Sequence, residues 1–303
     1  MNTMFVEVKN LYKSYNNSMV LKDINIRIDK PGVYLIAGPN GSGKTTLLEI
    51  IIGLRKADKG SVIINGKFGN DIETKEKVGF LTQENSLRKS SKVKEELNLV
   101  KDIFNLNIDT YEYLCKFGLQ KYYNKRTKQL SGGTKRRLLV TMLFMAGQDI
   151  VILDEPVSGL DPFNRNEIWN MIKDYSRNKI VIVSDHYLNE AARYSDYIYL
   201  INEGRIILSG TTTDIMSLCK DRYLIKVRKE FFDEVENFIS AHFNDYEVRI
   251  SGTVYHIFLK GDKNRLIRML EEKGMSFAIH DVDFEDIYFY YTGTIVNQEG
   301  VVK

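Results

Sequence analysis

Apolar residues recur in two rhythms over residues 1–220. In Phe5-Val6-Glu7-Val8 and Ile24-Asn25-Ile26-Arg27-Ile28 they alternate with polar ones, the period of a strand with one buried face. Ile150-Val151-Ile152-Leu153 and Ile180-Val181-Ile182-Val183 are instead unbroken apolar runs, as expected of strands buried on both faces of a parallel sheet. Val33-Tyr34-Leu35-Ile36-Ala37 is another apolar run. Ser61 to Gly66 reads as a strand ending in a turn, and Val78 to Leu81 as a further strand. Helical patterns intervene, one predicted over about Lys92 to Phe117, where leucines are scattered and no proline interrupts. Strands alternating with helices predict an α/β domain, its helices flanking a mostly parallel sheet.

From about Arg222 the texture changes. Tyr223 to Val227 reads as a strand and Glu230 to His242 as an amphipathic helix. Glu247 to Ile250 and Val254 to Leu259 read as strands joined at Ser251-Gly252. A second helix is predicted over Asn264 to Glu272, ended by Gly274, and a last strand over Ser276 to Asp281. The order β-α-β-β-α-β is that of a split, ferredoxin-like unit. His242, His256 and His280 all fall here. Their spacing suits no metal template, which leaves surface or core histidines.

Composition narrows the classes. A chain of 303 residues is expected to hold two domains, since domains commonly run ~100–200 residues. Apolar content of 43% and charged content of 27% describe a globular protein able to bury a core. The net charge of +3 is too small to argue for nucleic acid. Basic clusters, Lys121 to Lys128 and Lys135-Arg136-Arg137, read as solvated faces or local anion contacts. Cys115 and Cys219 lie far apart, so free thiols in a reducing compartment are expected. Met1 to Asn10 carry no signal-peptide pattern, and no apolar run approaches the ~20 residues of a membrane span. The expected location is cytoplasmic.

The candidate chemistry starts at Gly38-Pro39-Asn40-Gly41-Ser42-Gly43-Lys44-Thr45-Thr46, which fits G-x-x-x-x-G-K-[ST] at every fixed position. It follows the run Val33 to Ala37 and precedes Leu47 to Ile52, a predicted helix. Glycines let successive backbone N–H groups turn inward and make an anion nest at a helix N-terminus. Lys44 adds charge near the β- and γ-phosphates, and the Thr45 hydroxyl is placed to hold Mg²⁺. The chain is therefore expected to bind a nucleoside triphosphate. At the end of the Ile150 run stand Asp154 and Glu155. A carboxylate there can hold the Mg²⁺ shell, and its neighbour can polarise a water for in-line attack on the γ-phosphate.

Leu130-Ser131-Gly132-Gly133-Thr134, followed by Lys135-Arg136-Arg137, resembles the signature motif of ATP-binding-cassette (ABC) ATPases. Read physically, Ser131 and the two glycines start a helix at or near Gly133, offering N–H groups and a hydroxyl to an anion. Other elements of that family stand in order. Gln83 resembles the glutamine that contacts Mg²⁺ and the attacking water. Asp161, in Ser158-Gly159-Leu160-Asp161, resembles the loop that crosses the dimer interface. His186 resembles the switch histidine that contacts the γ-phosphate. Tyr15 resembles the aromatic residue on which adenine stacks, with Val20 beside it, although Tyr12 is close by. Departures are small: Thr134 replaces the usual glutamine, Asp185 the serine or threonine before the histidine, and Val157 a threonine or phenylalanine. The resemblance covers residues 4–218.

This resemblance implies a P-loop NTPase of ABC-cassette fold over residues 1–220. It would comprise a mostly parallel sheet flanked by helices, an antiparallel N-terminal β part and a helical subdomain over about 84–147. Residues 221–303 would form the small α+β ferredoxin-like domain. Asn40, Gly41, Ser42, Gly43, Lys44, Thr45 and Thr46 would hold the phosphates. From a second protomer, Ser131, Gly132, Gly133 and Asp161 would close over them. Thr45, Gln83 and Asp154 would hold Mg²⁺, while Glu155, His186, Lys44 and Gln83 would serve catalysis. The segment Val282 to Gly293 resembles the tail of ATPase subunits that serve separate permeases exporting drugs, antibiotics and lipids. Its Ile287, Tyr290 and Tyr291 fall on one helical face, suited to packing on the small domain. The expected activity is ATP hydrolysis by a homo- or heterodimer, on the inner face of the membrane, bound to a separate permease and to no nucleic acid. A soluble ABC factor of translation or nucleic-acid maintenance and an importer ATPase are the alternatives.

Overall fold

The computed structural model describes residues 4–69, 71, 74 and 76–293. Its centre is a six-stranded sheet of β3 (Gly32–Ala37), β6 (Val78–Leu81), β7 (Ile150–Asp154), β8 (Ile180–Asp185), β9 (Tyr197–Asn202) and β10 (Arg205–Gly210), in the order 10-9-3-8-7-6. All its pairs are parallel except the edge pair β9–β10. The unbroken apolar runs are β7 and β8, buried throughout. Their side chains alternate between two cores, as the strand period requires. Ile150, Ile152, Ile180 and Ile182 face one, while Val151, Leu153, Val181 and Val183 face the other.

The first core lies beneath an antiparallel sheet of β1 (Val6–Tyr15), β2 (Ser18–Ile28), β4 (Lys59–Ile64) and β5 (Lys67–Phe68), and it encloses α1 (Lys44–Ile51). The second lies under α4 (Gly132–Met145), α5 (Pro162–Tyr175) and α6 (Leu188–Tyr194). A separate apolar cluster of Leu87, Val93, Leu97, Leu114, Leu119, Leu130 and Leu138 holds the helical subdomain. The single helix predicted over Lys92 to Phe117 is two, α2 (Val93–Ile103) and α3 (Thr110–Cys115). Asn105 adopts φ 48°, a left-handed conformation that stops α2. The Asp109 side chain then accepts from the N–H groups of Tyr111 and Glu112, starting α3.

After α7 (Thr212–Ser217) come β11 (Arg222–Arg228), α8 (Phe232–His242), β12 (Tyr246–Ser251), β13 (Val254–Lys260), α9 (Lys263–Glu272) and β14 (Phe277–Asp281). The sheet order 12-13-11-14 is wholly antiparallel and gives the ferredoxin-like arrangement its β-α-β-β-α-β order predicts. One face packs on α8 and α9 through Ile225, Val227, Val235, Ile239, Leu266 and Leu270. The other carries Leu224 and Phe258 into the second core of the preceding domain, together with α10 (Phe284–Thr292).

That junction corrects the reading of the last helix. Ile287 is fully buried, but Tyr291 is 43% exposed, and the other buried residues of α10 include Phe284, Tyr288 and Phe289. The helix is wedged between both domains, so a single apolar stripe does not describe it. Tyr288 donates its hydroxyl to Asn202 Oδ1 at 2.8 Å, and Asn189 of α6 donates to Asp283 Oδ2 at 2.9 Å. His256 is a core histidine against Phe289, and burial pushes its pKa down to about 4. His280 bonds Asp286 at 2.8 Å, and Asp283 lies close enough to form a three-residue grouping that spacing did not suggest. Asp283 and Asp286 also cap α10. Residues 294–303 lie outside the described residues. Among the described residues no helix is long and apolar enough to cross a membrane.

Candidate functional site

Strand β3 delivers the glycine loop to the N-terminus of α1. Gly43, at φ 105°, is the helix cap, and a Cβ there would lie 2.7 Å from Leu21 Cδ2 and 3.0 Å from the Val20 carbonyl oxygen. Only glycine allows both that conformation and that approach. The Val20 backbone therefore sits directly beside the loop. The Ser42 hydroxyl is buried with no partner in the protein, and Thr45 and Asn40 face solvent at the rim. Lys44 is 5% exposed; its ammonium donates to the carbonyls of Gly38 at 2.8 Å and Pro39 at 3.0 Å. Burial lowers its pKa, and the carboxylates of Glu155, Asp185 and Asp154 offset part of that.

Parallel pairing of β3, β7 and β8 brings their C-terminal ends together. Asp154 is buried and accepts a short hydrogen bond from the Ser184 hydroxyl. Glu155 turns away at φ 45°, a strained position for a non-glycine residue. Its carboxylate lies 3.7 Å from Lys44 Nζ and 3.4 Å from His186 Nδ1. Burial alone would raise the Glu155 pKa, but His186 and Lys44 outweigh it and hold the carboxyl below its ordinary value. The base candidate is therefore ionised. Asp185 accepts from the backbone N–H groups of His186 and Tyr187 at 2.7 and 2.9 Å, which fixes the histidine segment. Its other oxygen is buried without a partner, and desolvation pushes its pKa up to about 6.

The remaining candidates lie around this cluster. Gln83 is exposed and lines a cleft of about 370 Å³ with Glu155, Gly132, Arg136, Ser158 and Gly159. Ser131 caps α4, which starts at Gly132, and accepts from Thr134 N at 3.2 Å. A Cβ at Gly133 would lie 2.5 Å from the Asn164 side chain. Asn164 in turn donates to Asp161 Oδ2 at 2.6 Å, so the signature glycine and the Asp161 loop are locked together. Ser131 and Gly132 are exposed, and among the described residues neither they nor Asp161 hydrogen-bond the glycine loop. Tyr15 closes the β1–β2 hairpin, its ring approached by Lys13 at 5.2 Å and Arg55 at 5.7 Å. Tyr12 lies earlier on the same strand, paired with Lys59.

The expectation of a solvated face or local anion contacts holds for Arg137 and fails for Arg136. Arg137 is tied to the Phe117 carbonyl and to Glu167. The guanidinium of Arg136 bonds four backbone carbonyls at the site itself.

A glycine loop at a helix N-terminus, an acidic strand end beside it and a histidine just past the next strand define a phosphate-loop nucleotide hydrolase. A family model described as "ABC transporter" matches residues 21–158. The lantibiotic transport ATP-binding protein SrtF of Streptococcus pyogenes is 33% identical over 205 residues, which are 67% of this chain and 89% of the relative. The chain belongs to the ABC transporter ATP-binding family. Nod factor export ATP-binding protein I of Cupriavidus pinatubonensis is 26% identical over 299 residues, 96% of this chain and 91% of its own length. ABC transporter A family member 11 of Dictyostelium discoideum is 30% identical over 242 residues, yet the match covers only 29% of that relative. Among solved structures, a dimeric ATP-binding cassette in a post-hydrolysis state bound to ADP and Pi superposes with TM-score 0.60 at 27% identity, covering 68% of this chain and 98% of that one.

Proposed function

We propose that this chain is the ATP-hydrolysing subunit of a membrane exporter, with residues 1–220 as the nucleotide-binding domain and 221–303 as an accessory domain. It would work as a dimer on the cytoplasmic face, bound to a separate permease. The Nod factor export relative named above, alike over nearly the full length, supports the exporter class. One observation carries the mechanism. Lys44, Asp154 and His186, all buried, converge with the half-buried Glu155, while Ser131 and Gly132 present an exposed helix N-terminus to solvent. The exposed terminus suits the phosphates of a second protomer's loop.

The residues fit ATP and Mg²⁺: the Ser42 hydroxyl is orphaned at the loop, and oxygen donors stand at its rim. Thr45, Gln83 and Asp154 would hold Mg²⁺, which when bound neutralises phosphate charge. Tyr15 and Val20 would flank the adenine. Lys44 and the opposing Ser131 terminus stabilise charge developing on the γ-phosphate. Glu155, ionised and next to His186, orients the attacking water.

The test mixes two inactive variants. Lys44→Ala removes the loop charge and Ser131→Arg blocks the signature. In a head-to-tail heterodimer one site is intact and the other carries both lesions. Mixing should restore ATPase activity, up to about half the wild-type sites per heterodimer. Full activity of Ser131→Arg alone would show that each protomer completes its own site.

A further inference from the structure

Arg136 lies on the first turns of α4, three residues beyond Gly133, and is 9% exposed. Its Nε donates to the Pro156 carbonyl at 2.9 Å, and one terminal nitrogen donates to the carbonyls of Asp154 at 3.1 Å and Glu155 at 3.2 Å. The other terminal nitrogen donates to the Thr82 carbonyl at 2.8 Å, immediately before Gln83. A planar guanidinium is the side chain that can meet several acceptors in one rigid fork. The three consecutive carbonyls it holds belong to the turn in which Glu155 adopts φ 45°. Strain of that kind persists only where surrounding contacts over-determine it.

We propose that Arg136 is a positioning residue for hydrolysis: it pins the Asp154-Glu155-Pro156 turn so that Glu155 faces Lys44 and His186. Through Thr82 the same guanidinium ties that turn to the Gln83 loop and to the signature helix. Arg136 touches no reacting group; it sets where the base and the glutamine stand. The inference rests on the ATPase reading above.

The experiment measures steady-state ATPase and equilibrium ATP binding for the full chain, with melting temperature recorded for each variant. Arg136→Met should lower kcat on the order of 10²-fold, the cost of displacing a catalytic group by about 1 Å, with KM changed far less. Arg136→Lys, which keeps a charge but cannot hold four carbonyls, should fold and fall between. In a Glu155→Gln background Arg136→Lys should cause a much smaller loss than in the wild type, because most of its effect passes through Glu155. An unchanged kcat in Arg136→Lys, or a loss that adds fully to Glu155→Gln, overturns the inference. So does a kcat that falls only in step with melting temperature and KM. A wild type without ATPase activity overturns the functional reading itself, and this inference with it.

Discussion

Removing residues 222–303 tests how independent the nucleotide-binding domain is. The sheets divide near residue 220, which suggests that truncation leaves the first domain intact. The packing argues otherwise. Phe284, Ile287 and Tyr288 are 5%, 0% and 0% exposed and belong to the same core as Leu188, Ala191, Ala192, Ile215 and Leu200. Burying three such side chains contributes ~1.5–3 kcal/mol each, hence roughly 5–9 kcal/mol. They are shared with Leu224 and Phe258 of the small domain, so about half, roughly 2–5 kcal/mol, is assigned to the nucleotide-binding domain. For a chain of this size each kcal/mol shifts the melting temperature by ~2–4 °C, so the truncated protein should melt roughly 4–20 °C lower.

The assay is calorimetric unfolding of the full and truncated chains in matched buffer, with an apolar dye to report exposed surface. Ile287→Ala in the full chain isolates the helix from the rest of the deletion and should cost ~2–5 kcal/mol. There is a functional corollary. Asn189 of α6 accepts from the N–H of Phe284 at 2.9 Å and donates to Asp283, so α10 holds the helix that begins just past His186. Truncation should therefore reduce turnover beyond any loss of folded protein. A truncated chain that melts within about 2 °C of the full one, inside a single kcal/mol on the same scale, would refute the shared-core argument.

Two further outcomes follow from the site. Asp185→Asn keeps an acceptor for the N–H groups of His186 and Tyr187 but removes a buried charge. The native carboxyl, raised to about 6, makes the wild type lose stability as pH climbs from the unfolded value of about 4 through about 6, because the folded chain binds the extra proton in that window. Melting curves of the asparagine variant should lack that fall, and parallel curves across pH 4–7 would count against the burial argument. Tyr15→Ala should raise the KM for ATP by an amount equivalent to ~1–3 kcal/mol while discriminating GTP almost as before, since stacking tolerates any base. An unchanged KM there, with a raised one in Tyr12→Ala, would move the adenine to the other tyrosine.

What could be read from the chain alone was whatever chemistry writes in consecutive residues. Convergent N–H groups need glycines at set offsets, so Gly38 to Thr46 announces itself. Strands buried on both faces must be apolar at every position, so β7 and β8 stand out. Their parallel pairing then places Asp154 and His186 without further information. Asn105 ends α2 by adopting a backbone conformation that no apolar spacing records. Arg136 reaches the Thr82 carbonyl across 54 positions, and nothing local separates it from the half-buried Lys135 next to it. Helix α10 misleads for a related reason. A helix covered by two domains is buried on more than one side, and the stripe of Ile287, Tyr290 and Tyr291 takes in only part of that burial, leaving out Phe284, Tyr288 and Phe289.

The charges assembled here bear on the proposed cation. Around the glycine loop stand two buried cations, Lys44 and Arg136, against the carboxyl groups of Asp154, Glu155 and Asp185. Arg136 is spent on backbone carbonyls, and Lys44 is shared between two loop carbonyls and Glu155. A triphosphate brought to such a cluster meets more negative than positive charge in a region of low dielectric, where repulsion is strong. The loop N–H groups and the α1 dipole contribute only partial charges. A divalent ion at the rim, held by Thr45 and Asp154, would reverse that balance. Glu155 lies 3.7 Å from Lys44 Nζ, so a nucleotide that drew Lys44 onto its phosphates would leave the carboxylate, on the turn whose carbonyls Arg136 holds, to His186 and to water.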